Sequence, residues 1–153
     1  MTYKNIVVIA NEDKALLPTM TRAVKWKSWH MVEPVMTVPL TARDLCQAIV
    51  TLYAQETEEK ELDEIKRYGD VILRATKSKS IRSMTCAWVT YSFDWKDGTL
   101  SLHMSYRDSQ GRWQYDPKKS QKFDSGTPLE VPVSQLIDDV HNQLKVLRSD
   151  RDK

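Results

Sequence analysis

The sequence predicts an α+β domain, a mainly antiparallel sheet of about five strands with two or three helices packed mostly on one face. Three observations carry that expectation. Residues 89–106 alternate around Asp97-Gly98 as a hairpin does, residues 42–55 carry apolar side chains at helical spacing, and strand-length apolar segments lie on either side. At 153 residues, with only four separated glycines and no linker-like tract, the chain reads as one domain, with a polar, frayed tail from about 148 to 153.

The opening strand is 3–10, rich in β-branched residues (Ile6, Val7, Val8, Ile9). Residues 16–30 admit two readings, a short helix after Pro18 or a strand, and Val24, Trp26 and Ser28 alternating with lysines favour a strand near 22–30. Residues 31–40 read as extended, with Pro34 and Pro39 confining them to an edge or to strand ends. Thr41 then caps a helix. Asp44 sits three residues on, and Leu45, Ile49 and Leu52 recur at helical spacing over 42–55. A second helix is predicted from about 58 to 77, with Leu62, Ile65, Ile72 and Ala75 as its buried stripe and Gly69 either on that stripe or at a break.

Asp97-Gly98 is a type I′ turn dipeptide, since both central residues must take positive φ. A two-residue loop pairs Trp95 with Leu100, Phe93 with Leu102, Tyr91 with Met104 and Val89 with Tyr106, all on one apolar face. The strand is read back through Cys86, which alternates with Trp88. Asp108-Ser109-Gln110-Gly111 suits a type I turn with a glycine bulge, which places Arg112 across from Asp108 and Trp113 across from Arg107. Trp113 and Tyr115 then share a face with Trp88, His103 and Ser105, opposite the apolar one. Short strands are expected near 121–123 and over 129–133. A last helix starts at Ser134 with Ile137, Val140, Leu144 and Leu147 on one stripe.

Composition narrows the function classes. Apolar residues make up 41% and charged residues 29%, as in ordinary globular proteins. No apolar run approaches the roughly 18 residues that a membrane span needs, and the N-terminal apolar stretch is shorter than a signal peptide's core. Cys46 and Cys86 are expected to be free thiols, so a cytoplasmic location is expected. A net charge of +2 from 23 basic and 21 acidic residues lacks the basic excess of a nucleic-acid binder.

Catalytic signals are few. His30, His103 and His141 form no metal spacing, and the separated glycines build no phosphate loop, so no metal or cofactor is expected. His141, one turn after Asp138, reads as half of a surface pair, and Cys86 has the setting of a packed thiol. The best acid–base candidate is His103, opposite Ser92 across the hairpin with Asp94 as its diagonal neighbour, and cross-strand polar pairing is the preferred account of that arrangement. No enzymatic activity is expected.

Binding signals are stronger. Glu56, Glu58, Glu59, Glu61, Asp63 and Glu64 place six carboxylates within nine residues. They would suit the positive end of a helix, or attract a basic partner. Trp88, Trp113 and Tyr115, with Arg107 and Arg112 beside them, would form either a covered second layer or an aromatic anchor site. Arg107, Arg112, Lys118 and Lys119 are the residues an RNA-binding accessory protein would use, though no RNA-binding signature accompanies them.

With its acidic segment and the aromatic-rich hairpin from Trp88 to Tyr106, the chain resembles the bacterial immunity proteins of contact-dependent growth inhibition systems in size and layout. That resemblance implies specific binding of one cognate protein toxin, usually a nuclease, by covering its active site or an exosite. It carries no residue over by position. The surfaces expected to bind are therefore Glu56–Glu64 and the Trp88, Arg107, Trp113 and Tyr115 face.

Overall fold

The structure, a computed structural model, describes residues 3–61, 63, 65 and 68–151. It is an α+β fold with a mainly antiparallel sheet in the order β3-β2-β1-β5-β6-β9, a short β4 beside β2, and a separate β7-β8 ribbon.

Strand β1 (Tyr3–Ala10) is central, and its last five residues are buried. Ile6, Val8 and Ala10 face one core, and Val7 and Ile9 the other. It pairs along its whole length with β5 (Val89–Lys96), from Tyr3 opposite Lys96 to Ala10 opposite Val89. Its pairing with β2 (Lys14–Ala23) is brief, only Ile9 with Leu16 and Ala10 with Ala15. Asn11 closes that turn, its side-chain oxygen accepting from the amides of Asp13 and Lys14 at 2.9 Å each. Beyond it the strands part. Pro18 has no N–H to donate, and the ladder between β2 and β3 (Trp29–Pro39) shifts register between Pro18 and Thr19. Further along, the two-residue β4 (Glu59–Lys60) runs parallel to Arg22 and Ala23. The sheet is thus closed at one end and open at the other.

Helices α1 (Ala42–Ala54) and α4 (Glu130–Arg151) cover one face and bury Leu45, Ile49, Leu136 and Val140 against Tyr91 and Phe93. Thr41 caps α1 as predicted, accepting from the Asp44 amide at 3.1 Å and donating to its carboxylate at 2.7 Å. The other face carries the shorter α2 (Tyr68–Thr76) and the single turn α3 (Ile81–Met84), which pack Val71, Ile72 and Met84 on Ile9, Leu16 and Trp88. Ser80 and Ser83 cap α3 reciprocally. The helices therefore lie mostly on one face, as expected, and the sheet is somewhat wider than five strands.

Several local expectations are corrected. Residues 22–30 are not one strand: β2 ends at Ala23, and Val24, Trp26 and Ser28 lie in or beside the turn that leads to Trp29. The acidic segment does not open a helix. Glu59 and Lys60 are extended because Arg22 and Val24 donate to the Glu58 and Lys60 carbonyls at 3.0 Å each, and the described helix begins only at Tyr68. Leu62, Glu64, Lys66 and Arg67 lie outside the described residues. Cys86 follows α3 in a turn rather than sitting on a strand.

The 97–98 hairpin forms in the predicted register, with Asp97 and Gly98 at φ 51° and 85°. β6 (Thr99–His103) stops at the pair of Ser92 with His103, so Tyr91–Met104 and Val89–Tyr106 are not ladder pairs, and Tyr106 is exposed. The Ser105 hydroxyl, donating to the Thr90 carbonyl at 2.7 Å, turns the chain into β7 (Ser105–Arg107). β7 pairs with β8 (Trp113–Tyr115) around the predicted bulged turn, with Trp113 opposite Arg107 and Gly111 at φ 78°. β9 (Gln121–Phe123) is found where expected.

Residues 129–133 are not a strand. Pro132 occupies the first turn of α4, where its missing N–H costs no hydrogen bond. At the other end α4 runs on through Arg151, and Arg148 pairs with Glu12.

Trp88 is 7% exposed, and its backbone carbonyl accepts from the Trp113 indole at 2.5 Å. Trp88→Ala should therefore lower unfolding stability by about 3–5 kcal/mol, the usual cost of deleting a core aromatic. A urea titration in which the loss stays below about 1 kcal/mol would contradict this packing role.

Candidate functional site

Where β1 and β2 part, a cleft of about 360 Å³ opens between the two arms of the sheet. One wall is the β1–β5 pair. Strand alternation points Tyr3, Asn5 and Val7 to the same face, and the register sets Asn5 beside Asp94 and Val7 beside Ser92. The other wall comes from Met20 on β2 and from Trp29, His30 and Met31 on β3, while Tyr115 of the ribbon closes one side. Sequence separation hides this assembly.

A hydrogen-bonded chain fixes the polar wall. The Asn5 amide donates to Asp94 at 2.5 Å and to the Ser92 hydroxyl at 2.8 Å. Because a carboxylate only accepts, Asp94 determines which way the Asn5 amide faces. His103 Nε2 lies 3.0 Å from the other Asp94 oxygen, and its Nδ1 lies 3.1 Å from the Ser120 hydroxyl. The predicted diagonal pair of His103 and Asp94 thus exists, but both ring nitrogens are committed. The ring links Asp94 to Ser120 and braces the carboxylate.

The aromatic wall is a stack. Tyr3 and Trp29 lie 5.6 Å apart and 23° from parallel, with the Arg22 guanidinium 5.7 and 5.5 Å from their ring centres. Burial, then the Asp94 charge, raises the Tyr3 hydroxyl above the usual tyrosine range, against a smaller opposing effect of Arg22.

The acidic segment borders the same open end. Glu56 lines a small hollow on the opposite face of the split, beside Lys4 and Asn5. Glu58, Glu61 and Asp63 are exposed. Glu59 pairs with Lys27 at 2.8 Å, and that hydrogen bond and charge hold its carboxyl below the usual range. Trp26, at the tip of the β2–β3 turn, is 67% exposed and adds a large aromatic surface next to this segment.

Of the second expected surface Trp88 is buried, Arg107 and Trp113 are half-buried and Tyr115 is exposed. Trp88 belongs to the core and presents no aromatic face to solvent, so the covered-layer reading describes it. Arg107 donates to the Thr85 hydroxyl at 3.2 Å and reaches the Cys86 sulfur at 3.4 Å, clamping α3 to the ribbon. Trp113 is half-buried against Trp88, and Tyr115 alone of this group belongs to the cleft. Of the basic residues considered for RNA, Arg112 pairs with Asp108 at 3.2 Å and Lys119 with Asp139 at 3.8 Å. Among the described residues no three His, Cys, Asp or Glu side chains group to hold a metal ion, and no helix is long and apolar enough to cross a membrane.

Tyr3, Asn5, Arg22, Trp26 and Trp29 were not singled out by sequence reasoning. Asn5 left one trace, a lone amide on the face it shares with Tyr3 and Val7 in an otherwise apolar strand. The others could be assigned only once the pairing was known.

No protein-family model matches the chain, and no curated protein sequence does. Two solved structures match it along nearly their full lengths. A protein of unknown function, NMB0488 from Neisseria meningitidis, superposes with a TM-score of 0.63 at 12% identity, covering 97% of this chain and 94% of that one. A chain from the CdiA-CT/CdiI toxin and immunity complex of Yersinia pseudotuberculosis superposes with a TM-score of 0.57 at 10% identity, covering 95% and 97%. What they share with this chain is the fold.

Removing the amide at the centre of the polar wall tests its structural role. Asn5→Leu leaves the Asp94 and Ser92 oxygens without their donor, and should cost about 1–3 kcal/mol of stability in urea denaturation. An unchanged midpoint would mean that water replaces the amide freely and that the wall is not pre-organised.

Proposed function

We propose that this chain is an immunity protein that binds one cognate protein toxin, a nuclease by preference, and neutralises it by covering its active site or an exosite. The observation that carries this reading is the end-to-end likeness to a chain of a toxin and immunity complex. The open end of the sheet is the binding region. It joins exposed carboxylates, which attract the basic surface of a nucleic-acid enzyme, to an exposed tryptophan of the type that dominates interface energetics. Inhibition then comes from occlusion, without chemistry by this chain.

Affinity capture of the tagged chain from its native cells should recover one partner in equal amount, and adding the chain should abolish that partner's activity. Expression of the chain alone should leave growth unchanged. Recovery without a stoichiometric partner, or growth arrest by the chain itself, would overturn the proposal.

Two variants test the binding region. Glu56→Lys, Glu58→Lys and Glu61→Lys together should slow association about tenfold or more at low salt, with the difference shrinking as salt rises. Trp26→Ala should instead speed dissociation, weakening binding by about tenfold or more. Surface plasmon resonance separates the two effects, and unchanged rate constants in both variants would remove the open end from the interface.

A further inference from the structure

We infer that the cleft between the two arms of the sheet is a receptor for a single arginine side chain of the bound partner. The inference rests on the binding function above and specifies its chemistry. The cleft offers each part of an arginine a matching surface. Val7, Met20 and Met31 line it with apolar atoms suited to an aliphatic stem. Tyr3 and Trp29 on one side and Tyr115 on another supply aromatic surfaces for a planar guanidinium.

Asp94 supplies the counter-charge. Its side chain is 21% exposed and braced on both oxygens, by Asn5 and by His103. An ionised carboxylate has about four acceptor sites, so two bonds leave capacity for the paired N–H groups of a guanidinium. Ser92, 4% exposed on the same wall, accepts from Asn5 and adds a polar group at the inner end. Burial, then the Asp94 charge, raises the nearby Tyr3 hydroxyl above the usual tyrosine range, which places Asp94 within reach of this wall.

The protein also displays the contact within itself. Arg22 already rests its guanidinium 5.7 and 5.5 Å from the Tyr3 and Trp29 ring centres, so this pair accepts a cation of the proposed kind. An anion would meet Asp94 unfavourably, and an apolar side chain would bury the carboxylate without a partner. The exposed carboxylates at the same end would draw a basic segment in and leave selection to the cleft.

The test uses the free chain and a small probe, so its result is independent of whether a toxin is found. The ¹⁵N-labelled full chain is titrated with acetyl-Gly-Arg-Gly-amide, with the same peptide carrying citrulline, and with the lysine peptide. Saturable shifts of the Trp29 indole N–H are expected with arginine, and binding at least about tenfold weaker with citrulline, which keeps the shape but loses the charge. Asp94→Asn, checked for a native spectrum, should weaken arginine binding by a similar factor. No shift with the arginine peptide, or equal binding of the citrulline peptide, would overturn the receptor. Equal binding of the lysine peptide would overturn the assignment to arginine. If arginine binds but affinity capture yields no toxin, the cleft chemistry stands and the immunity function falls. If a toxin is captured but the arginine peptide does not bind, the immunity function stands and the receptor falls.

Discussion

The parting of β1 from β2 after two paired positions is the constraint on which the rest of this molecule depends. Backbone amides and carbonyls that leave a ladder must find other partners or water. On the β2 side that demand is met by the segment after α1. Arg22 and Val24 donate to the Glu58 and Lys60 carbonyls, and the Thr21 hydroxyl donates to Glu58 as well, at 2.7 Å. This explains why Glu59 and Lys60, within a run of carboxylates, are extended. Their backbone is recruited to satisfy β2, and the neighbouring Glu56, Glu58 and Glu61 side chains are left in solvent. Pro18 contributes by lacking the N–H that would continue the ladder.

The two cores support the opening unequally. The α1–α4 layer is broad and anchored by Tyr91 and Phe93, both fully buried. The Tyr91 hydroxyl reaches Asp139 on α4 at 2.6 Å, and burial, with the Asp139 charge adding to it, strongly suppresses its ionisation. The α2–α3 layer is smaller and relies on Trp88 and on the ribbon that folds over it. Arg107 ties the ribbon to α3 through Thr85, and Gly111 lets the turn pass close above that guanidinium. A Cβ at Gly111 would come within 3.0 Å of Arg107 and 3.1 Å of Arg82. The ribbon in turn carries Tyr115 to the cleft, so the second layer builds one side of the site while covering the sheet.

What was legible in the sequence follows the range of the interactions concerned. The Asp97-Gly98 hairpin, the Thr41 cap and the Gly111 bulge are local devices whose partners lie within a few residues, and each was readable. The pairing of His103 with Asp94 was readable too, because hairpin register alone defines it. The acidic segment was misread because helix propensity competes there with a backbone demand made by Arg22, more than thirty residues earlier. Residues 129–133 were misread because Val131 and Val133 suggest a strand, whereas Pro132 suits the first turn of a helix just as well. The aromatic cluster was left open between two readings: alternation correctly placed Trp88 away from the main core, but only the packing shows that α2 and α3 cover it. Arg22 and Trp29 are a ladder pair of β2 and β3, and Tyr3 of β1 meets them only across the gap where β1 and β2 part.

In the proposed interface, the polar wall lets recognition proceed without reliance on long, mobile side chains. Exposed glutamates such as Glu58 act at a distance and are screened by salt, which suits them to attraction rather than to discrimination. Asp94 is the opposite case, a short side chain on a central strand with both oxygens held. The entropy of ordering it is lost when the chain folds, so binding does not incur it again. His103 serves this purpose through its bond to Ser120, which connects the carboxylate to the turn before β9. Attraction and selection therefore fall to different groups at the same end of the sheet. That division is possible only because the opening places a rigid strand wall beside a solvent-exposed acidic segment.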